Sequence, residues 1–582
     1  MLENINSIFD LKKLNIDELK VLASDIRECL IKKMSACGGH FGPNLGTVEI
    51  EIALHYVFNS PIDKFVFDVS HQSYTHKILT GRKDAFTDSD KYNTVTGYTN
   101  PKESEHDMFT VGHTSTSIAL ALGLAKARDI NKENNNIIAL IGDGSLSGGE
   151  ALEGLNIAGE LDSNLIIIVN DNQMSIVENH GGIYKSLRDL RESKGVSENN
   201  IFKTFGLDYC YIENGNDLYS VIEVLNKVKN INHPIVVHIN TLKGCGYEPS
   251  LKVKSDWHYT MPFDIKTGKE LKPYIRDSYS NITGSILKTR IDKGDNILAI
   301  TAALPFYLGF SEEDRIKYKD NFIDVGIAEE AAVALASASA KGHVKSVFAT
   351  AGTFLQRSYD QIYQDLCLDN NPATLLVCNA SLYGGRDSTH LGISITSMLL
   401  NIPNLKVLAP TSKAEYINML NWSLDQTKES VAILVPAKGI VEDERVPYTD
   451  FSIVKNKVEV KGSRVAIFGI NDFYQYAEEI THSLNDEGIY PTLINPVCLS
   501  ILDTDTLDTL KDYDLIVTIE GYILSGGYGE KISSYFGDSQ VLVKNFGLRK
   551  EIIDKFKPED VMANNKMTKE DIVSYIISEI KK

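Results

Sequence analysis

The chain has 582 residues, 43% of them hydrophobic and 24% charged, the balance of an ordinary globular protein long enough for several domains. A formal net charge of −19 excludes non-specific nucleic-acid binding but leaves room for a local basic pocket that takes a phosphate. No apolar run approaches the roughly 18 residues of a membrane span, and the opening "MLENINSIFDLKK" lacks the apolar core of a secretory signal.

Along the chain, short β-branched runs alternate with helical patterns. The first group is "KFVFDVS", "NIIALIGDG", "NLIIIVND" and "PIVVHINT". The second is "NILAIT", "SVFATAG", "ATLLVCNA", "LKVLAP" and "AILVP", and the third is "RVAIFGI", "YPTLINP" and "DLIVTIE". Apolar runs of this length, separated by helices, mark parallel sheets covered on both faces. Polar stretches at 266–281 and 441–463 read as linkers. The expected fold is α/β, with three doubly wound domains at 1–275, 276–445 and 446–582. Seven scattered cysteines (Cys29, Cys37, Cys210, Cys245, Cys367, Cys378 and Cys498) include no CxxC pair. They read as reduced thiols of a cytoplasmic protein.

The run "IGDGSLSGGE" (141–150) ends an apolar strand in an aspartate held between two glycines. Open α/β sheets hold ligands at such carboxyl ends, and glycine allows a tight turn and close backbone approach. A dinucleotide fingerprint would need glycine at Ser147, and no GK[ST] follows to make a Walker loop. Asp143 is better suited to a divalent cation that in turn holds phosphates. Mg²⁺ takes six oxygens and usually only one or two of them from carboxylates. Neutral oxygens follow at the end of the next apolar strand, "LIIIVNDNQMSI", in Asn170 and Asn172. Two polar turns after strands would be the bland reading of either motif alone, but together they match the pattern of thiamine-diphosphate enzymes.

Further motifs extend the match. "GGHFGPNLGTVEIEIALHYVFNSPIDKFVFDVSHQSYTHKILTGR" (38–82), "VGHTSTSIALALGLA" (111–125) and "KGCGYEP" (243–249) lie in the first half of the chain. "FIDVGIAEEAAV" (322–333), "GTFLQRSYDQ" (352–361) and "LSGGYGEKI" (524–532) follow. Over nearly its whole length the chain resembles the 1-deoxy-D-xylulose-5-phosphate synthase family of transketolase-related enzymes. The resemblance implies a thiamine-diphosphate- and Mg²⁺-dependent transferase acting as a homodimer on pyruvate and D-glyceraldehyde 3-phosphate. Its product would be a precursor of isoprenoids, thiamine and pyridoxal. The first domain would bind diphosphate and metal, the second the aminopyrimidine, and the third would be the C-terminal transketolase-like domain.

Residue roles follow from the same resemblance. Asp143, Asn172 and the main-chain oxygen of Met174 would ligate the metal, and Gly144 and Ser145 would contact the diphosphate. His71, Gly112, His113, Thr114, Tyr247 and Phe354 would line the cofactor. Glu329 would bind the aminopyrimidine ring nitrogen. An acid in a first helical turn is also favoured by the helix dipole, a description that suits the neighbouring Glu330. His40, His258 and His390 would serve catalysis, the first two by moving protons on pyruvate and its adduct. His55, His343 and His482 sit in no motif and read as structural.

The chain also departs from the family. The segment after "NDN" is shorter than its counterpart, and Glu329-Glu330-Ala331 stands where Glu-Gln-His is usual. In the acceptor pocket, Asn379 and Lys438 replace arginines, Arg386 replaces an aspartate and Ala351 a tyrosine, while Arg357 and His390 are retained. Arg357, Arg386 and Lys438 are the candidate phosphate ligands. Lysine cannot reproduce the bidentate fork of arginine. Two other readings therefore stand beside the synthase: a paralogue with a different acceptor or a ketose donor, and a catalytically silent cofactor-binding protein.

Overall fold

The computed structural model describes residues 1–272, 278–385, 387–443, 445 and 447–582. It contains three sheets. The first comprises β1 (Lys64–Phe67), β2 (Ile137–Gly142), β3 (Leu165–Asp171), β4 (Asp208–Ile212) and β5 (Pro234–Asn240), ordered β1-β2-β3-β5-β4 and parallel throughout. The second comprises β6 (Ile297–Thr301), β7 (Phe322–Asp324), β8 (Lys345–Ala351), β9 (Thr374–Cys378), β10 (Leu405–Leu408) and β11 (Ser430–Leu434). Its order is β10-β11-β9-β8-β6-β7, again parallel. The third comprises β12 (Lys457–Val460), β13 (Val465–Gly469), β14 (Thr492–Asn495), β15 (Leu515–Ile523) and β16 (Leu542–Leu548), ordered β12-β14-β13-β15-β16.

Alternation along the strands shows why both faces are covered. In β2, Ile138 and Leu140 join one core with helices Ile16–Cys37 and Phe41–Val57. Ile137, Ala139 and Ile141 point the other way, into a core with helices Ser117–Asn131 and Gly149–Ala158. Each isoleucine or leucine so removed from water contributes about 1.5–3 kcal/mol. Phe348 and Val377 of the second sheet share one core with Phe468 and Ile516 of the third. That shared core explains the division into two compact units. One is Met1–Ile275 with Gly326–Ala328, and the other is Arg276–Val325 with Glu329–Lys582.

Four strands lie outside the runs read from sequence: β4, β7, β12 and β16. All four are edge strands. An edge strand needs less apolar surface, and β12 alternates half-buried with exposed positions while β4 buries only Ile212 fully. The stretch 441–463 is accordingly more than a linker, because it contains β12. That strand pairs antiparallel with β14, the exception to the expected parallel order. At the other stretch, helix Tyr279–Asp292 starts within 266–281, its first turn capped by the Ser278 hydroxyl accepting from Asn281 N. Residues 273–277 lie outside the described residues. No helix among the described residues is long and apolar enough to cross a membrane.

Candidate functional site

In the first unit, β2 and β3 run side by side with Gly142 opposite Asn170, and the chain turns at Asp143 as its amide donates to Asn170 O (3.1 Å). Asp143 is 1% exposed. Its Oδ1 accepts from Asn172 N (3.4 Å) and its Oδ2 from Asn179 Nδ2 (2.6 Å). Burial, followed by the negative charge of Asp171, pushes its pKa above the ordinary carboxylate range. Asp171 goes the other way. Burial opposes its ionisation, but hydrogen bonding to His238 Nε2 (2.9 Å) and an ion pair with Arg191 overcome that and hold its pKa down. The middle acid of "NDN" is thus committed to a structural network, while the Asp143 carboxylate is met by amides, with the charge of Lys243 lowering its pKa in part.

The neighbourhood fits a divalent cation. Asn172 Oδ1 accepts only a main-chain bond from Met174 N (3.2 Å). Asn179 Oδ1 is buried without a hydrogen-bond partner, an unmet need that an ion would satisfy. Among the described residues no cluster of three or more His, Cys, Asp or Glu is arranged for a metal. Asn179, which lies in the segment shorter than the family's, was not among the ligands expected from sequence. Lys243, 1% exposed, donates to Ser175 O (2.7 Å) on the same loop, and burial lowers its pKa to about 8.

Glycine matters at two places here. A Cβ on Gly148 would lie 2.1 Å from Ser115 Oγ, and one on Gly144 would lie 3.1 Å from Ser175 Cα. Ser115 Oγ donates to Ser145 O (2.8 Å), tying the "VGHTSTS" segment to the "GDG" turn. The segment is itself pinned by Asp68, whose carboxylate accepts from Ser115 N (2.9 Å) and Ser117 N (3.1 Å). Asp68 thereby positions the stretch that carries Gly112, His113 and Thr114.

Three of the histidines expected to serve the site, His40, His71 and His258, meet. Ring centroids of His40 and His71 are 5.0 Å apart, those of His71 and His258 5.2 Å, and those of His40 and His258 5.9 Å. Asn44, fully buried, sets two of them: Nδ2 donates to His40 O (2.6 Å) and His71 O (2.8 Å), and Oδ1 accepts from Tyr74 N (2.9 Å). Burial, then the positive charge of Lys243, drives the His258 pKa well below its usual value, so its imidazole stays neutral. Tyr247, expected from sequence to line the cofactor, lies beside this cluster in chain order and is buried. Its ring packs against Phe41, Trp257 and Phe263, and its hydroxyl donates to Ile265 O (2.8 Å). His55, read as structural, is one end of a buried chain: His55 Nε2 to His76 Nδ1 (2.9 Å), then His76 Nε2 to Asp107 Oδ1 (2.8 Å). Arg82 closes it with two bonds to Asp107 (2.6 and 2.9 Å).

In the second unit, helix Glu329–Lys341 begins at Glu329, which is 3% exposed, whereas Glu330 is half-buried. Burial raises the Glu329 pKa, and Arg357 at 3.4 Å partly offsets this. Phe354 and His390 rings meet edge to face at 5.5 Å, and His390 Nδ1 lies 3.2 Å from Asp387 Oδ1. Asn379 Nδ2 donates to Tyr307 Oη (2.8 Å), which takes up the residue standing where the family has an arginine. Ala351 ends β8 and is buried. Lys438 Nζ lies 5.3 Å from the Tyr383 ring centroid. Arg386 lies outside the described residues.

Residues 2–200 and 192–241 match the family described as 1-deoxy-D-xylulose-5-phosphate synthase. Residues 278–440 match the transketolase pyrimidine binding domain, and 455–572 the transketolase C-terminal domain. Two curated relatives named 1-deoxy-D-xylulose-5-phosphate synthase, from Alkaliphilus oremlandii and Clostridium beijerinckii, are each 36% identical, covering 99% of this chain and 99% of their own. A third so named, from Natranaerobius thermophilus, is 35% identical over 100% of this chain and 98% of its own. Among solved structures, a Pichia stipitis transketolase in complex with sedoheptulose 7-phosphate aligns with a TM-score of 0.45 and 16% identity, over 97% of this chain and 98% of that one.

Proposed function

The chain belongs to the 1-deoxy-D-xylulose-5-phosphate synthase family, and from that membership we propose that it decarboxylates pyruvate and joins the two-carbon unit to D-glyceraldehyde 3-phosphate. The products are 1-deoxy-D-xylulose 5-phosphate and CO₂. The observation carrying this reading is 36% identity, along 99% of both chains, with a relative of that name, in a chain whose Asp143, Glu329 and histidine triplet are all present. Thiamine diphosphate, bound with Mg²⁺, supplies the nucleophilic carbon and electron sink that pyruvate decarboxylation needs.

The chain's own residues bind, orient and move protons. Asp143, Asn172 and the Met174 main-chain oxygen hold the ion, with Asn179 beside them. Gly144 and Ser145 take the diphosphate on their backbone, and His71, Gly112, His113 and Thr114 line its surroundings. Glu329 carries a proton to and from the aminopyrimidine ring nitrogen, and burial moves its pKa toward the working pH where such transfer is efficient. Phe354 packs against that ring. His40 and the neutral His258 would handle protons on the oxygens of pyruvate and its adduct, and His390, supported by Asp387, would serve the acceptor end. Arg357, Arg386 and Lys438 receive the acceptor's phosphate.

Product analysis with pyruvate and a panel of phosphorylated and free aldehydes tests the reading. Turnover is expected to be highest with glyceraldehyde 3-phosphate. Replacing two arginines removes charge-assisted bonds worth about 1.5–3 kcal/mol each, so the KM for this acceptor is expected to be high, with Arg386→Ala raising it further and sparing unphosphorylated aldehydes. A preference for an unphosphorylated acceptor would overturn the assignment.

The protein is a homodimer in this reading, since cofactor domains of this type pack extensively on a second copy. Sedimentation at micromolar concentration is expected to show the dimer, and a fully active monomer would contradict it. Its free cysteines support a cytoplasmic location.

A further inference from the structure

The turn after β13, "GINDF" (469–473), inserts two buried polar side chains into the second unit that no step above uses. Asn471 sits in the left-handed region (φ +50°). Its Nδ2 donates to Pro410 O (2.8 Å) and Leu434 O (3.1 Å), and its Oδ1 accepts from Tyr522 Oη (3.0 Å). This fastens the turn to the end of β11. Asp472, 4% exposed, follows. Its Oδ1 accepts from Ala437 N (3.0 Å) and Lys438 N (3.2 Å), and its Oδ2 accepts from Ser381 Oγ (2.5 Å). Ser381 Oγ in turn accepts from Tyr383 N (3.3 Å).

One buried carboxylate therefore clasps two segments that are remote in sequence. The segment after β11 carries Lys438. The segment after β9 carries Tyr383, whose ring lies 5.3 Å from the Lys438 ammonium. Covering these turns with apolar side chains would be less costly than burying a charge. A carboxylate with three donors fixes the direction of each backbone, which apolar packing does not. Lysine needs that help, because its ammonium is a point charge on a flexible stem.

We propose that Asp472 is a positioning residue for the acceptor: it sets Lys438 against Tyr383 and so presents the ammonium to the acceptor's phosphate. The proposal rests on the acceptor reading given above. The test uses the full-length enzyme saturated with thiamine diphosphate and Mg²⁺, comparing wild type with Asp472→Asn, Ser381→Ala, Lys438→Ala and the Asp472→Asn/Lys438→Ala double variant. Asp472→Asn is expected to raise the KM for glyceraldehyde 3-phosphate about tenfold, and Ser381→Ala, which removes one arm of the clasp, by less. The KM for pyruvate should stay within about twofold, since the clasp acts on Lys438, a residue assigned to the acceptor. Because Asp472 acts through Lys438, the double variant should be no worse than Lys438→Ala alone. Additive effects, or a fall in turnover with the acceptor KM unchanged, would overturn the proposal. Ser381→Ala keeps the carboxylate and reads the same clasp if Asp472→Asn does not fold. Calorimetry with inorganic phosphate separates this proposal from the acceptor reading. If the wild type makes no product from glyceraldehyde 3-phosphate, that reading fails, and equal phosphate affinity in wild type and Asp472→Asn would sink the positioning role independently.

Discussion

Replacing Glu329 with alanine should cut turnover by about 10²–10⁴-fold, the usual worth of a positioned acid–base group, while leaving the fold and the metal end of the site intact. The two adjacent acids are physically distinct. Glu329 is 3% exposed, has a raised pKa caused by burial, and faces Arg357 at 3.4 Å. Glu330 is half-buried and has room to act as an ordinary first-turn acid. Glu330→Ala should therefore retain activity close to wild type. Steady-state kinetics of both variants, with folding checked by thermal unfolding, decides between them. An inactive Glu330→Ala beside an active Glu329→Ala would reverse the assignment.

The second large effect concerns Asp143. Its carboxylate is desolvated and met by amide groups, so in the proposed site a divalent cation would make its charge tolerable. Asp143→Ala should weaken binding of thiamine diphosphate with Mg²⁺ at least tenfold, about 1.4 kcal/mol, as read by calorimetry. Asp143→Asn separates binding from folding. Because the folded, cation-free protein holds a proton here more tightly than the unfolded chain, this group's contribution to stability is present at low pH. It is lost as pH rises through the ordinary carboxylate range and above. Asp143→Asn removes that penalty near neutrality. The cation-free variant should melt no lower than wild type, while the stabilisation given by cofactor and Mg²⁺ largely disappears. Unchanged cofactor affinity in Asp143→Ala would remove Asp143 from the metal site.

The central strands and the two polar strand ends were legible because each is a local signal. An apolar run marks a strand buried on both faces, and "GDG" and "NDN" mark where two such strands stop. The four edge strands were not, since β12 and β4 carry too little apolar surface to stand out from a polar stretch. The positioning residues escaped for another reason. Asn44 ties nearby His40 to His71, 27 residues on, Asp68 holds Ser115 and Ser117, 47 and 49 residues on, and Asp472 holds Lys438 and Ser381, 34 and 91 residues back. A buried Asn or Asp of this kind looks in sequence like any polar residue in a turn.

The most direct test of the proposed chemistry follows the carbon atoms. The enzyme would be incubated with [2,3-¹³C₂]pyruvate, unlabelled D-glyceraldehyde 3-phosphate, thiamine diphosphate and Mg²⁺, and the mixture read by ¹³C NMR. The expected result is a ketose phosphate whose methyl and carbonyl carbons are both labelled and still coupled, formed together with CO₂ and absent without the aldehyde or with Glu329→Ala. Pyruvate left unchanged, or label appearing only in acetaldehyde or acetate at every acceptor concentration, would contradict it.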